Sequence, residues 1–222
     1  MSNLLERAEA FARRVHEGQF RKGEAKEPYT VHLEEVVDLV SKHGGSDTEV
    51  CAAWLHDTVE DCPPTSFQDI EENFGIEVGK IVRELTDDKN LKKAERKRLQ
   101  VINASHKSPS ACLIKICDKT SNLRSIAKSP PTTWDYERRT EYIRWAYEVV
   151  SSLPHKPKAA IETFMMAADQ AEIRSAGDCL PTRQAQNVAV SVLQRKAYRA
   201  GASPEQVNQF MVRFAMGALE NV

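Results

Sequence analysis

Four ionisable side chains follow directly on an apolar stretch in Ala52-Ala53-Trp54-Leu55-His56-Asp57-Thr58-Val59-Glu60-Asp61. An adjacent imidazole and carboxylate near a helix end can reach one common ion. Residues four apart share a helix face, which sets Glu60 below His56 and Asp61 below Asp57. As pure structure this is poor, because burying an unpaired carboxylate costs several kcal/mol; a metal ion resolves that cost. Two further ligands have plausible sources. His32 opens a helix in Tyr29-Thr30-Val31-His32, and Asp118 sits in the otherwise apolar run Leu113-Ile114-Lys115-Ile116-Cys117-Asp118. Asp is a weak helix former, rarely buried without a partner. Two imidazoles and two carboxylates suit Mn²⁺, Fe²⁺ or Zn²⁺ better than Mg²⁺ or Ca²⁺, which prefer oxygen alone. Taken singly, each residue has a plainer reading: a chance His-Asp pair, a core histidine, an aspartate paired with Lys119 or Arg124, a solvated helix end. The ordered set on separate helices is far harder to obtain by accident.

Charge segregation adds a substrate class. Asp57 to Glu77 holds seven acids and no Lys or Arg, whereas Lys89 to Lys107 holds seven basic residues and one acid, Glu95. An acidic segment for an ion and water, followed by a basic one for phosphates, suits metal-assisted phosphate hydrolysis. For most of the individual lysines a solvated amphipathic helix remains the simpler account.

The elements that must position these residues are helical nearly throughout. Asn3 can cap a helix with Leu4, Ala8, Phe11, Ala12 and Val15 on one face. Gly18 to Pro28 reads as a charged loop. The next helix carries Leu33, Val36, Val37 and Val40 and stops at Gly44-Gly45. Ser46 and Glu49 form a capping box for a third helix predicted to run to about Asp61 and to end at Pro63-Pro64. Thr65 opens a fourth, with Phe67, Ile70 and Phe74 inward, and Val78, Ile81, Val82 and Leu85 mark a fifth. Residues 89–107 are predicted partly helical. Ser108-Pro109 opens a helix to about Ala127, and another spans 133–153 with Trp134, Tyr142, Trp145 and Val149. Pro154-His155-Lys156-Pro157 reads as a linker, followed by helical stretches near 158–176, 182–200 and 204–220. No run alternates like a strand. The expectation is an all-α helical bundle: a main domain over 1–153 and a helical extension over 158–222. Val207, Phe210, Met211, Phe214 and Ala218 give the extension an apolar face, for packing on the main domain or for a homo-oligomer contact.

Composition bounds the class. The 222 residues are 41% hydrophobic and 28% charged, with a net charge of −1, a globular profile whose balance argues against nucleic-acid binding by bulk charge. No apolar run approaches the roughly 20 residues needed to cross a bilayer, so no membrane partner is expected. The N-terminus is polar too early for a signal peptide, and five cysteines without a CxxC pair fit reduced thiols, so a cytoplasmic location is expected.

The residues Arg21-Lys22, Tyr29, His32, His56-Asp57-x-x-Glu60-Asp61, Thr86-Asp87-Asp88-Lys89, Glu95-Arg96-Lys97-Arg98-Leu99-Gln100 and Asp118-Lys119-x-x-Asn122-Leu123 together resemble the hydrolase domain of RelA/SpoT-type proteins. They are most similar to the stand-alone small alarmone hydrolases, including the metazoan form. The resemblance covers about residues 4 to 153. It implies the all-α fold of the HD superfamily, a bound Mn²⁺, and removal of the 3′-diphosphate of ppGpp or pppGpp to give GDP or GTP and pyrophosphate. By the same resemblance His32, His56, Asp57 and Asp118 are the metal ligands, and Glu60 and Asp61 position and activate the attacking water. Arg21 and Lys22 lie near base and phosphates, and Asn122 contacts the ribose. Tyr29, Lys93, Arg138 and Tyr142 are further substrate-binding positions; core packing beside Trp145 is the plainer reading of Tyr142.

There are departures. Leu33 stands where the family usually has proline, Thr30 replaces a common isoleucine, and Thr120-Ser121 replaces a more apolar pair before Asn122. The synthetase domain of long family members has no counterpart in the residues after 157. Hydrolysis of ppApp or removal of the 2′-phosphate of NADPH stay open as activities of the same site. A non-catalytic binding or antitoxin module is disfavoured, because the expected ligands and the Glu-Asp pair are all present.

Overall fold

The computed structural model describes residues 3–209. Among them the chain is helical, with no strand beyond one isolated bridge between Phe20 and Pro28. The helices are α1 (Asn3–Val15), α2 (Thr30–Lys42), α3 (Asp47–Leu55), α4 (Thr58–Asp61), α5 (Phe67–Phe74), α6 (Ile76–Leu85), α7 (Lys93–Ala104), α8 (Pro109–Lys128), α9 (Tyr136–Ser152), α10 (Lys158–Cys179) and α11 (Thr182–Arg199). A further helical turn begins at residue 204.

Local chemistry sets the boundaries. Ser46 caps α3 in a box with Glu49, as the spacing predicts, and a second box, Ser66 with Asp69, opens α5. Ser108 accepts from Ala111 N and Pro109 takes the first helical position of α8. The loop before α2 lies against the end of α8. A Cβ on Gly23 would stand 2.3 Å from the Ser129 carbonyl oxygen, so only glycine allows that approach.

Helix α8 is the axis of the bundle. From Ala111 to Ser121 every residue is buried, the polar Lys115, Asp118, Lys119, Thr120 and Ser121 included. Helices α2, α3, α6, α9 and α10 all pack on it. The apolar side of α10 enters the same core, where Ala160, Phe164, Ala167, Ala168 and Ala171 are buried. Of the apolar face predicted at the C-terminal end, Val207 is buried; Phe210, Met211, Phe214 and Ala218 lie outside the described residues.

One expectation is corrected. The third helix does not run unbroken to Asp61: it ends at Leu55, and α4 begins at Thr58. The Thr58 hydroxyl bonds back to the Leu55 carbonyl at 2.7 Å, and Asp57 takes φ −105°, ψ −3°. On a continuous helix neighbouring side chains diverge by roughly 100°. The break instead turns His56 and Asp57 toward one point, 3.1 Å apart from Nε2 to Oδ2.

Candidate metal centre and adjoining cleft

Three buried side chains converge beside the cleft. Ligand atoms of His32 on α2, His56 after α3 and Asp118 on α8 all lie within 4.8 Å of one another, and all three residues are buried. Asp57 joins them from the break: its Oδ2 is 3.1 Å from His56 Nε2 and 3.6 Å from His32 Nε2. Asp118 Oδ1 is also 3.6 Å from His32 Nε2.

Each candidate ligand is fixed by a hydrogen bond. His56 Nδ1 is 2.7 Å from the Ala53 carbonyl, which can only accept, so Nδ1 carries a proton and Nε2 is the nitrogen turned toward the carboxylates. Tyr29 donates to Asp57 Oδ2 at 2.5 Å, and Asn122 Nδ2 donates to Asp118 Oδ1 at 2.6 Å. His56 Nε2 is buried without a hydrogen-bond partner. A buried imidazole nitrogen aimed between two carboxylates fits a divalent cation.

Glu60 and Asp61 stand at the cleft edge rather than under the ligands. Glu60 Oε2 accepts from Asp87 N at 3.0 Å, and its Oε1 lies 3.5 Å from both Lys89 Nζ and Arg96 Nη1. Lys89 also pairs with Asp61. The Asp61 carbonyl accepts from Gln19 Nε2 at 3.0 Å, which ties the end of α4 to the loop before α2.

The cleft itself has a volume of about 610 Å³. Glu60, Asp61, Arg21, Lys22, Tyr29, Lys93, Asn122, Arg138 and Tyr142 all line it, so it gathers every expected catalytic and substrate residue outside the metal set. Arg21 is already engaged: Nη2 donates to Asn122 Oδ1 at 3.1 Å and Nη1 to Ser121 Oγ at 3.4 Å. Both ends of the Asn122 amide are thus used within the protein. The aromatic wall is Trp134, Tyr142 and Trp145. Arg138 lies 4.9 Å over the Trp134 ring, and Lys97 and Lys119 lie 4.9 and 4.4 Å over Trp145.

A family model described as an HD domain matches residues 8–146. Over 152 residues the chain is 47% identical to the guanosine-3′,5′-bis(diphosphate) 3′-pyrophosphohydrolase MESH1 of Xenopus tropicalis, covering 68% of this chain and 84% of that one. The human protein of the same name is 45% identical over 154 residues, covering 68% and 85%. A solved structure described as a metazoan ortholog of SpoT that hydrolyses ppGpp matches with a TM-score of 0.73 at 38% identity, covering 77% of this chain and 96% of that chain. The chain belongs to the HD-domain family, among its MESH1-type members.

In this HD-domain chain the electrostatics divide sharply between cradle and cleft. Burial opposes charge on His56, but Asp57 and Asp118 outweigh it and raise the imidazole to about 9. Burial likewise disfavours the carboxylates, yet His56 and His32 hold Asp57 well below its ordinary value, and Lys119 and Lys115 hold Asp118 low. The pocket is therefore built for net positive charge among its carboxylates, which a cation supplies. Burial lowers His32 and raises Tyr29, and it raises Glu60 against the opposing Asp87 N–H bond. In the cleft, burial and then Arg138 lower Lys93 and Lys97.

Charge segregation is only partly a property of this site. Asp69 caps α5 and Glu71 pairs with Arg83, away from the ligands. Arg98 pairs with Glu95, while Lys107 reaches the Glu84 carbonyl. The sequence assigns no individual role to Lys89, Arg96, Ser121 or Glu35. The first two stand in the family-like motifs, and only the fold shows their partners, Glu60 and Asp61.

Proposed function

We propose that this chain hydrolyses the 3′-diphosphate of guanosine tetra- and pentaphosphate, giving GDP or GTP and pyrophosphate, with Mn²⁺ as its metal. The observation that carries the reading is the convergence of His32, His56, Asp57 and Asp118 on one point beside the Glu60–Asp61 acid pair and a cationic, aromatic cleft. The relatives named as guanosine-3′,5′-bis(diphosphate) 3′-pyrophosphohydrolases support the substrate. The unit that acts is residues 1–153, with the extension from 158 buttressing α8, in a cytoplasmic protein whose partner is a small nucleotide.

His32, His56, Asp57 and Asp118 would hold the cation. When bound, it supplies acidification of the attacking water, lowering its pKa toward about 7. Glu60, with Asp61 beside it, accepts the water proton and orients the nucleophile at the phosphorus linked to O3′. The O3′–P bond breaks, the ribose oxygen takes up a proton, and the water oxygen leaves in pyrophosphate. Lys89 and Arg96 already touch the acid pair, so they lie where the departing charge must be held. Lys22, Lys93 and Arg138 hold the remaining phosphates. Arg21 presents a planar guanidinium for stacking on the purine, kept in place by Asn122.

The test is product analysis on ppGpp with and without Mn²⁺, run beside ppApp and NADPH. Metal-dependent release of pyrophosphate and GDP is expected, fastest with ppGpp. Orthophosphate from NADPH as the dominant product would replace this reading.

A further inference from the structure

Ser121 belongs to the Thr120-Ser121 pair that departs from the family pattern before Asn122. In the structure its side chain is completely buried and stands at a junction. The hydroxyl donates to Glu35 Oε2 at 2.7 Å, and that leaves the oxygen to accept. His32 Nδ1 is 2.8 Å away, so the imidazole proton sits on Nδ1 and the lone pair on Nε2 faces Asp57 and Asp118. Arg21 Nη1 approaches the same oxygen at 3.4 Å from the cleft side. One donor and two acceptor positions are the whole capacity of a hydroxyl, and all are used. Glu35 is in turn fixed by Arg124 Nη1 at 3.0 Å.

The geometry points to Ser121 and Glu35 as positioning residues for the metal, a hydroxyl-bridged carboxylate that sets the tautomer and orientation of His32. This rests on the metal reading above and adds to it two residues that touch neither ion nor substrate. The physical effect is twofold. Without an acceptor on Nδ1, the ring is free to carry its proton on Nε2, where it would repel a cation. Without a carboxylate behind the hydroxyl, the imidazole is a weaker base and a poorer ligand. Thr120 is the internal control: it is the adjacent residue, equally buried, and its hydroxyl bonds the Ile116 carbonyl at 2.7 Å instead of a ligand.

The experiment is direct Mn²⁺ binding by equilibrium dialysis on the full chain, with no nucleotide present, beside thermal melts of each variant. Ser121→Ala is expected to bind Mn²⁺ about 10–100-fold more weakly, and Ser121→Thr, which keeps a hydroxyl, to recover most of that loss. Thr120→Ala is expected to lower the melting temperature while leaving Mn²⁺ affinity unchanged. Ser121→Ala binding as tightly as wild type overturns the inference, as does Thr120→Ala losing as much affinity as Ser121→Ala. Should Ser121→Ala fail to fold, Glu35→Gln decides at a partly exposed position: weaker binding supports the relay and unchanged binding defeats it. A wild-type chain that binds no Mn²⁺ in the same cells defeats the metal reading itself.

Discussion

The cradle and the cleft wall answer different physical demands. The four side chains proposed as ligands sit on α2, on α8 and at the α3–α4 break. Each is fixed by a short hydrogen bond: His56 to a carbonyl, Asp57 to Tyr29, Asp118 to Asn122, His32 to Ser121. The cleft wall is made of long cationic side chains such as Lys89, Lys93 and Arg138; Lys89 now rests on Asp61 and Arg138 on the Trp134 ring. Holding an ion demands placement within a fraction of an ångström, and burial supplies it. Holding a flexible polyphosphate demands charge that can adjust, and partial exposure supplies that.

The sharpest way to break this contrast is at the cradle. His56→Ala or Asp118→Ala removes a ligand and leaves buried opposite charges unpaired. Metal content by elemental analysis is expected to vanish, and activity to fall by more than the order of 10²–10⁴ typical of a lost general base. Stoichiometric metal in both purified variants would show that the ion is held elsewhere.

Next in size are the groups at the boundary between the regions. Glu60→Gln is expected to lower kcat by about 10²–10⁴ while metal content stays at the wild-type level. Burial holds the Glu60 carboxyl above its ordinary value, against the pull of Lys89. Protonation removes the base, so kcat is expected to decline on the acid side as pH falls through that raised range. Lys89→Met takes away a charge that favours the ionised form, so it should move this limb to higher pH. A limb that stays in place in Lys89→Met, or that survives in Glu60→Gln, assigns it to another group.

The cradle was legible in the sequence because its residue types are costly anywhere else: a His-Asp pair followed by two acids, and an aspartate inside an apolar run. The break that aims His56 and Asp57 was not legible. Ala-Ala-Trp-Leu-His-Asp-Thr-Val-Glu-Asp contains no glycine or proline, and only the folded chain shows the Thr58 back-bond that ends α3. Ser121 and Glu35 meet across 86 positions of chain, a contact that no periodicity encodes. On the cleft side the basic segment was visible as composition, but which cations face inward depends on how α7 is rotated. Arg98 turns to Glu95, while Lys93, Arg96 and Lys97 turn to the cleft.

That division predicts milder behaviour for the wall. Arg138→Ala and Lys93→Ala should each raise KM for ppGpp by about tenfold, equivalent to one charge-assisted contact of about 1.4 kcal/mol, with kcat nearly unchanged. Wild-type KM should also climb with salt, since half-exposed cations are screened over about 10 Å at 0.1 M ionic strength. A fall in kcat as large as that of Glu60→Gln would place these residues in the chemical step and erase the distinction between the regions.

The smallest effect is expected where the extension reaches the wall from behind. Arg139 on α9 is buried. Its Nε donates to the Trp134 carbonyl at 3.1 Å and its Nη1 pairs with Asp178 on α10 at 2.8 Å. Arg174 Nε shares the same Asp178 oxygen at 3.0 Å. Asp178→Asn keeps the shape and removes the charge, so the buried guanidinium loses its counter-ion at a cost of about 1–3 kcal/mol. The melting temperature should drop accordingly. Because Arg139 also anchors the backbone of Trp134, on which Arg138 rests, KM should rise slightly while metal affinity stays at the wild-type value. A lowered melting temperature with KM unchanged would confine the extension to stability. A change in metal affinity would mean that the cradle, too, is supported from α10, and that the two regions are less independent than their hydrogen bonds suggest.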